Sequence, residues 1–206
     1  VSWQPFRAQE LNVRAFYKRI FRMPTLNDLY YTFIGNANLN PEFTTQYDVG
    51  LTYARQFVRG GLERIEFQTD AYYNEVSDKI VAMPTSNQFR WTMMNLGYVE
   101  IRGIDVALQS SWRFWQHLLA TLRINYTYEK AQDFTKPGSA YYGGQIPYIP
   151  WHSGSAVLNM TYKSWDLNYS FIYTGERYES SANIPENFAK EWYTNDLSLS
   201  KNFRYN

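Results

Sequence analysis

The sequence lacks several residue types that most catalytic and metal sites need. Its 206 residues contain no cysteine, which excludes disulfides, thiolate metal sites and a cysteine nucleophile. The two histidines, His117 and His152, have no companion at a spacing typical of a metal or catalytic site. Twenty Lys and Arg residues against 19 Asp and Glu residues leave a net charge of +1, without a basic cluster. We therefore expect no catalytic residue, no bound metal and no nucleic-acid partner.

Long hydrophobic runs are also missing. The mean hydropathy is −0.51, and no apolar run approaches the ~18–20 residues of a transmembrane helix. Aromatic residues, in contrast, are abundant: 19 Tyr, 13 Phe and 7 Trp make up 19% of the chain. An ordinary soluble domain has no evident use for so many tyrosines. Their positions relative to the strands and loops therefore decide the fold class.

Several segments alternate apolar and polar residues, which is typical of β-strands with one wet face. In segment 165–174, apolar residues from Trp165 to Tyr173 alternate with Asp166, Asn168 and Ser170. A helix would scatter these polar residues around its whole circumference. The pattern predicts eight strands, within 11–18, 47–53, 65–74, 104–109, 118–129, 156–162, 165–174 and 193–199.

The connections between these strands alternate in length. Short turns are expected near 59–61, at 112–116 and at 163–164, whereas long loops are expected at 23–43, 77–95, 130–150 and 176–191. Short turns at one end and long loops at the other are the layout of a transmembrane β-barrel meander, whereas a soluble sandwich does not sort its loops in this way. The fold class predicted is all-β, an antiparallel transmembrane β-barrel meander.

Aromatic residues mark the ends of the predicted strands, as in the interfacial girdle of a membrane barrel. A strand of ~10 residues tilted by ~45° rises roughly 23 Å, close to the ~25 Å apolar band of such barrels. A tyrosine suits the interface because its ring is apolar and its hydroxyl stays wet. The predicted girdle comprises Tyr17, Tyr47, Tyr53, Tyr73, Tyr98, Tyr126, Tyr128, Tyr162, Trp165 and Tyr173.

The opposite, polar face of the strands carries charged residues. In a barrel this face lines the lumen or contacts whatever fills it, whereas in a sandwich it would meet solvent. The residues predicted to face the lumen or a plug are Arg14, Asp48, Glu66, Asp70, Asp105, Arg123 and Glu129.

Six short motifs stand out along the chain. The first two are RMPTLNDLYY at 22–31 and GNANLNPE at 35–42. They are followed by NLG at 95–97, RGID at 102–105, IPYIP at 146–150 and YTGERY at 173–178. In content and order these motifs resemble those of TonB-dependent outer-membrane receptors, although Asp105 stands where that family more often has Glu. The resemblance covers essentially all of residues 1–206.

The resemblance implies a chain that is only part of a receptor. Such receptors combine a 22-stranded barrel with an N-terminal plug and a segment that engages TonB, and we expect residues 1–206 to be a partial barrel domain without the plug. It also implies an outer-membrane location, no cofactor, and four partners: the lipid bilayer, TonB through the absent plug region, an imported ligand and a candidate surface lipoprotein. The function implied is energy-coupled import of a large, scarce nutrient of the cobalamin or iron-siderophore class.

Ligand contacts are expected at the tips of the long loops, where exposed aromatic side chains can stack on a ligand or partner. The four long loops carry eight acidic and six basic residues, which disfavours a strongly anionic ferric chelate and favours a neutral ligand such as a corrinoid. The predicted ligand-binding residues are Tyr30, Tyr31, Phe33, Arg90, Trp91, Tyr141 and Tyr142.

Three alternatives stay open from the sequence. A self-contained eight-stranded outer-membrane barrel with a structural or adhesive role is consistent with the alternation, because eight strands can close. A barrel protease or lipase would need a nucleophile and a base, which the sequence does not suggest. A soluble, Trp- and Tyr-rich carbohydrate-binding sandwich is the third.

Overall fold

The alternating segments form long antiparallel strands in a computed structural model that describes residues 1–5, 10–84, 90–115 and 117–203. The strands are β1 (Ser2–Trp3), β2 (Leu11–Arg22), β3 (Glu42–Gln56), β4 (Leu62–Pro84), β5 (Trp91–Trp115), β6 (Leu118–Asp133), β7 (Gly144–Gln145), β8 (His152–Tyr162), β9 (Trp165–Thr174), β10 (Arg177–Tyr178), β11 (Phe188–Ala189) and β12 (Trp192–Lys201). One short α-helix, α1 (Leu26–Tyr30), and a 3-10 turn at Pro185–Asn187 lie in the loops. None of the helices in these ranges is long and apolar enough to cross a membrane.

The long strands pair as a meander. Their order is β1-β2-β3-β4-β5-β6-β8-β9-β12, every pair is antiparallel, and β7 continues the edge of β6 beyond the end of β8. A separate two-stranded sheet joins β10 and β11 in the last long loop. Within the described ranges β12 does not pair with β2, so the sheet is open and the closed eight-stranded alternative is not what these strands form.

The register gives the sheet one apolar face and one polar face. Ala15, Val49, Ala71, Ile104 and Tyr128 stand opposite one another in a single row across five strands. Because directly paired residues share a face and successive residues alternate between faces, this row defines the apolar face. The neighbouring residues in each strand define the polar face.

Tyrosines border the apolar face, as predicted. At the loop end, Tyr47 packs between Tyr17 and Tyr73 with ring centroids 5.3 and 6.2 Å apart. At the opposite end, Tyr162 pairs with Trp165 beside a two-residue turn. Tyr98 lies four residues beyond Arg102 toward the loops, outside this border, and its hydroxyl donates to Glu75 at 3.4 Å. The prediction of Tyr98 as a girdle residue is therefore wrong.

Two predicted connections are shorter than expected. The loop predicted at 77–95 is mostly strand, since β4 continues to Pro84 and β5 begins at Trp91; residues 85–89 lie outside the described ranges. The turn predicted at 112–116 has fewer residues than expected, because β5 continues to Trp115; Gln116 lies outside the described ranges. Beyond the apolar band a strand no longer needs an apolar outer face, so backbone pairing continues after the two-residue pattern has faded.

A small hydrophobic core lies at the loop ends of the strands. Val76, Leu96, Val99, Ala131 and Ile146 are buried together, joining β4, β5 and β6 to the loop that contains β7. The cluster lies beyond the tyrosine border, because Val99 is three residues further along β5 than Arg102, which is paired with Tyr73. This part of the molecule therefore has an interior of its own.

Candidate functional site

The seven residues predicted to face the lumen all lie on the polar face. One row runs from Arg14 through Gly50, Asp70 and Asp105 to Thr127, each paired with the next. The adjacent row contains Asp48 and Glu129, and a row nearer the short turns contains Glu66 and Arg123. The structure thus brings the predicted residues together on one surface of five strands.

Gly50 lets Arg14 reach across a strand. The Arg14 guanidinium pairs with the Asp70 carboxylate and donates to the Thr52 hydroxyl at 3.3 Å. A Cβ atom at Gly50 would overlap both the Asp70 carboxylate and the Arg14 side chain. The amide of Gln68 also donates to Asp70, at 2.9 Å. Asp70 therefore holds the Arg14 side chain close to the polar face of the sheet.

Gly103 has the same role in the next row. The Tyr72 hydroxyl donates to Glu129 at 3.0 Å, although β5 lies between their two strands. A Cβ atom at Gly103 would stand 2.5 Å from the Tyr72 hydroxyl oxygen. The tyrosine side chain thus lies across the glycine and ties β4 to β6 on the polar face.

Asp48 and Asn74 hold buried acceptors on this face. Asp48 is 9% exposed, and among the described residues no donor reaches its Oδ1 or the Oδ1 of Asn74. Buried carboxylate and amide oxygens are costly to leave without a partner, at about 1–3 kcal/mol each. Both oxygens are enclosed by neighbouring groups of this chain, so this face has a polar interior of its own.

The first long loop, residues 23–41, begins with a capped helix turn. The Thr25 hydroxyl accepts from the Asp28 amide at 3.1 Å, and the Asp28 carboxylate accepts from the Thr25 amide at 2.9 Å. This reciprocal capping box starts α1 directly after Pro24. The chain turns back at Gly35, where a Cβ atom would stand 2.7 Å from the Tyr31 nitrogen.

Asparagines fasten this loop to the start of β5. The side-chain amide of Asn36 donates to the Met93 backbone carbonyl at 3.0 Å, and the Met93 backbone N–H donates to the Ile34 carbonyl at 2.9 Å. Asn95 accepts from the Asn40 amide at 2.8 Å and donates to the Asn40 carbonyl at 3.1 Å. The asparagine-rich motif at 35–42 and the NLG motif at 95–97 are therefore two halves of one clamp.

Glu42 anchors the end of the same loop. Its buried carboxylate accepts from Arg22 at 3.2 Å, from Lys79 at 3.3 Å and from the Ile80 amide at 3.0 Å. Three donors, two of them cationic, compensate the desolvation of this carboxylate. Glu42 and Lys79 are among the eight acidic and six basic residues of the four long loops, but they form an ion pair and neutralise each other.

Four of the predicted ligand-binding residues line one cleft. Tyr31, Phe33, Arg90 and Trp91 surround a space of about 450 Å³ between the first loop and the start of β5. Phe33 is 89% exposed and has a positive φ of 72°. Trp91 packs against Tyr148, with ring centroids 5.1 Å apart, so the third long loop supports the floor of the cleft.

Tyr141 and Tyr142 line a second cleft, of about 460 Å³, with Met83, Met94 and Lys136. By alternation along β5, Met94 lies on the opposite face from Trp91. Tyr142 packs edge-on against Phe134 at 5.2 Å. Tyr30, on α1, is exposed and borders neither space. The seven predicted residues are thus divided among three places.

Tyr148 was not among the predicted ligand-binding residues. It lies in the IPYIP motif with a φ of 63°, and its amide donates to the Tyr178 carbonyl at 2.7 Å. Burial raises the pKa of the Tyr148 phenol, and the nearby Glu179 carboxylate raises it further, so the hydroxyl stays a neutral donor. The prolines on either side of Tyr148 were the available signal, because they restrict the backbone that carries it.

The third and fourth long loops pack together through aromatic residues. Trp151, Tyr178 and Phe188 form a cluster with centroid distances of 5.1 to 6.1 Å. Asn183 donates to the Gln145 carbonyl at 3.1 Å. The motifs at 146–150 and 173–178 therefore have a structural role, as members of one packed layer.

Comparison with known proteins identifies the family. A family model described as "TonB dependent receptor-like, beta-barrel" matches residues 1–206. The chain is 28% identical over 191 residues to a vitamin B12 transporter, BtuB, of Photobacterium profundum, covering 88% of this chain and 28% of that protein. A BtuB of Vibrio vulnificus is 36% identical over 86 residues, which are 42% of this chain and 13% of that protein.

Solved structures share the fold. The siderophore receptor PiuA from Acinetobacter baumannii superimposes with a TM-score of 0.69 at 15% identity, over 100% of this chain and 29% of that one. The ferric yersiniabactin receptor FyuA from Yersinia pestis gives 0.65 at 14% identity, over 97% and 28%. This chain therefore spans less than a third of these proteins. The apolar face is the lipid-facing side of an outer-membrane β-barrel wall, and the chain belongs to the β-barrel family of TonB-dependent receptors, which are transport receptors and not enzymes.

Proposed function

We propose that this chain forms part of the wall and mouth of an outer-membrane receptor that imports a corrinoid of the cobalamin class. The observation that carries the proposal is the first cleft, in which Arg90 is the one charged side chain among the described lining residues. Tyr31, Phe33 and Trp91 offer ring faces to a large and largely neutral ligand. The relative from Photobacterium, named as a vitamin B12 transporter, supports the same ligand class.

A ferric siderophore is the second candidate ligand. Several receptors of the same fold are named as siderophore or ferric-citrate receptors, but they are only 12–15% identical to this chain. Siderophore complexes of iron that carry negative charge favour a basic mouth. The pairing of Lys79 with Glu42 cancels one charge of each sign, so the long loops keep their excess of acidic over basic residues, which favours the corrinoid.

The polar face has a separate part in the proposal. We infer that Arg14, Asp48, Glu66, Asp70, Asp105, Arg123 and Glu129 face a plug that lies elsewhere in the full receptor, and that TonB acts on that plug to drive uptake. The common position of these seven residues on the polar face, opposite the lipid-facing residues, supports this assignment. In this view residues 1–206 are a contiguous part of a 22-stranded barrel.

The ligand is tested with the full-length receptor. Calorimetric titration with cyanocobalamin and, separately, with a ferric siderophore should give tight binding of the corrinoid only. Phe33→Ala and Trp91→Ala should each weaken corrinoid binding about tenfold or more, as removal of a buried aromatic anchor does. Leu26→Ala is the matched control, because Leu26 is exposed in the same loop and lines neither cleft.

Two results would contradict the proposal. Tight binding of the ferric siderophore without corrinoid binding would replace the ligand class. Unchanged corrinoid affinity in both aromatic variants would move the site away from the first cleft while leaving the receptor function intact.

A further inference from the structure

The loop-end border of the apolar face changes character along one row of residues. Tyr17, Tyr47 and Tyr73 are followed, directly opposite on the next two strands, by Arg102 and Lys130. Three neutral interfacial residues thus give way to two cations on the lipid-facing side of the wall. Each residue of this row is paired directly with the next, but the chemistry differs.

Arg102 stands at the level of lipid headgroups. Trp112 lies ten residues away on the same face of β5, at the short-turn end. At ~3.3 Å per residue and a tilt of ~45°, the two residues are separated by about 23 Å along the barrel axis, against ~25 Å for the apolar band. Immediately below Arg102 and Lys130 the same two strands carry Ile104 and Tyr128, which are paired and lipid-facing.

The two cations lack the partners that other arginines of the wall have. In the described ranges no carboxylate lies within 4.0 Å of either side chain, whereas Arg14 pairs with Asp70 and Arg22 with Glu42. Like charges directly opposite each other in a sheet are destabilising. Arg102 donates one described hydrogen bond, to Gln132 at 2.9 Å, out of five N–H groups.

The acidic residues of this surface lie one row further out. Glu100 precedes Arg102 by two residues on the same face and is paired with Glu75. Glu75 accepts from the Tyr98 hydroxyl at 3.4 Å. A ligand for Arg102 and Lys130 is therefore expected to approach from the membrane side, below these carboxylates.

We propose that Arg102 and Lys130 bind the phosphate of an outer-leaflet lipid headgroup. A guanidinium and an ammonium on neighbouring strands bracket one phosphate, and the anion relieves the repulsion between them. Ile104 and Tyr128 accommodate the first part of the acyl chains, so the site is continuous with the membrane-facing surface. The site is independent of the cargo, because it lies on the opposite face from the lumen.

The experiment uses the full-length receptor in a neutral detergent and measures its thermal midpoint as lipid is added. The probes are phosphatidylglycerol, an anionic lipid with one phosphate, oleate, an anionic lipid without phosphate, and inorganic phosphate. The double variant Arg102→Gln/Lys130→Gln is compared with Arg59→Gln/Lys163→Asn, which removes two charges from the short turns at the opposite end. Native mass spectrometry counts the phosphorylated lipid retained by each protein.

Phosphatidylglycerol should raise the midpoint of the wild type and of the turn variant, and should fail to raise that of the Arg102/Lys130 variant. That variant should also retain severalfold less phosphorylated lipid. Equal stabilisation and retention in all three proteins would overturn the proposal. An equal effect of inorganic phosphate would replace the lipid by a free anion, an equal effect of oleate would reduce the site to general charge attraction, and an acidic protein retained in place of lipid would make the pair a protein interface.

Discussion

The two ends of strands β4 and β5 bury apolar side chains in opposite directions. In the membrane-spanning part, apolar residues such as Val106 face outward to lipid, and the inner face carries charges and glycines. Beyond the tyrosine border, Val76 and Val99 face into a packed core covered by a loop. The same two strands thus place apolar side chains in lipid at one end and in a protein core at the other. The environment of each residue, rather than its type, decides how much its burial contributes to stability.

The largest contrast is expected for the same substitution in the two regions. Ile146→Ala should destabilise the loop layer by about 2–5 kcal/mol, because Ile146 is 4% exposed and its loss leaves a cavity. Ile104→Ala should cost less than about 1 kcal/mol, because Ile104 is 46% exposed toward lipid and lipid chains are as apolar as the side chain removed. Hydrogen exchange of the full-length receptor in lipid measures both.

Equal effects of the two isoleucine variants would show that the wall packs like an ordinary core. A wild-type level of loop protection in Ile146→Ala would show that the cluster of Val76, Leu96, Val99, Ala131 and Ile146 does not hold the mouth together.

An arginine placed on either face of β5 tests which face meets lipid. Val106→Arg places a cation near the middle of the lipid-facing band and should destabilise the receptor by about 2–4 kcal/mol. Gln109→Arg should cost much less, because Gln109 lies on the polar face beside an open space of about 350 Å³, and the attraction of its paired neighbour Glu66 offsets the repulsion of its other paired neighbour, Arg123. Denaturant unfolding in lipid vesicles compares them, and a reversal of their order would mean that the faces are assigned the wrong way round.

The alternation of residues was enough to predict the membrane-spanning wall. The β8–β9 hairpin, for example, alternates on both sides of Lys163 and Ser164 except at Val157 and Ile172, because one face meets lipid and the other water. The seven charged residues predicted for the inner wall fall on one face for the same reason. What alternation did not show is that Gly50 and Gly103 are crossed by long side chains, since that depends on the register between strands.

The loop ends were harder to predict because their interior is assembled from distant segments. Residues 77–84 pair as strand without alternating, and the helix turn α1 is too short to show a period. No helix was predicted at 26–30, because five residues carry no amphipathic signal, although Thr25 and Asp28 form a capping box there. The aromatic residues of the long loops are divided between two clefts by the packing of one loop on another, which no local sequence pattern predicts.

Substitution of Gly103 tests the contacts on the polar face and is expected to cost less stability than Ile146→Ala or Val106→Arg. Gly103→Ala should destabilise the receptor by about 1–3 kcal/mol, because the new Cβ meets the Tyr72 hydroxyl at 2.5 Å and crowds the backbone of Tyr128. Tyr72→Ala frees the first of these contacts, so the double variant should lose less stability than the sum of the two single variants. Strict additivity in the double-mutant cycle would show that Tyr72 does not lie across Gly103.

The smallest expected effect concerns the cap of α1. Thr25→Ala removes the hydroxyl that accepts from the Asp28 amide and should cost about 1 kcal/mol. That cost corresponds to a roughly fivefold increase in opening of the helix turn, which should be seen as faster exchange of the Asp28 and Leu29 amides. Asn38→Ala is the control, because Asn38 is exposed in the same loop, lies outside the cap and lines neither cleft. Because Tyr31 and Phe33 follow the helix turn directly, the cap also orders one wall of the first cleft, and corrinoid affinity should fall by no more than the same factor. A larger loss of affinity than of exchange protection would show that Thr25 contacts the ligand itself.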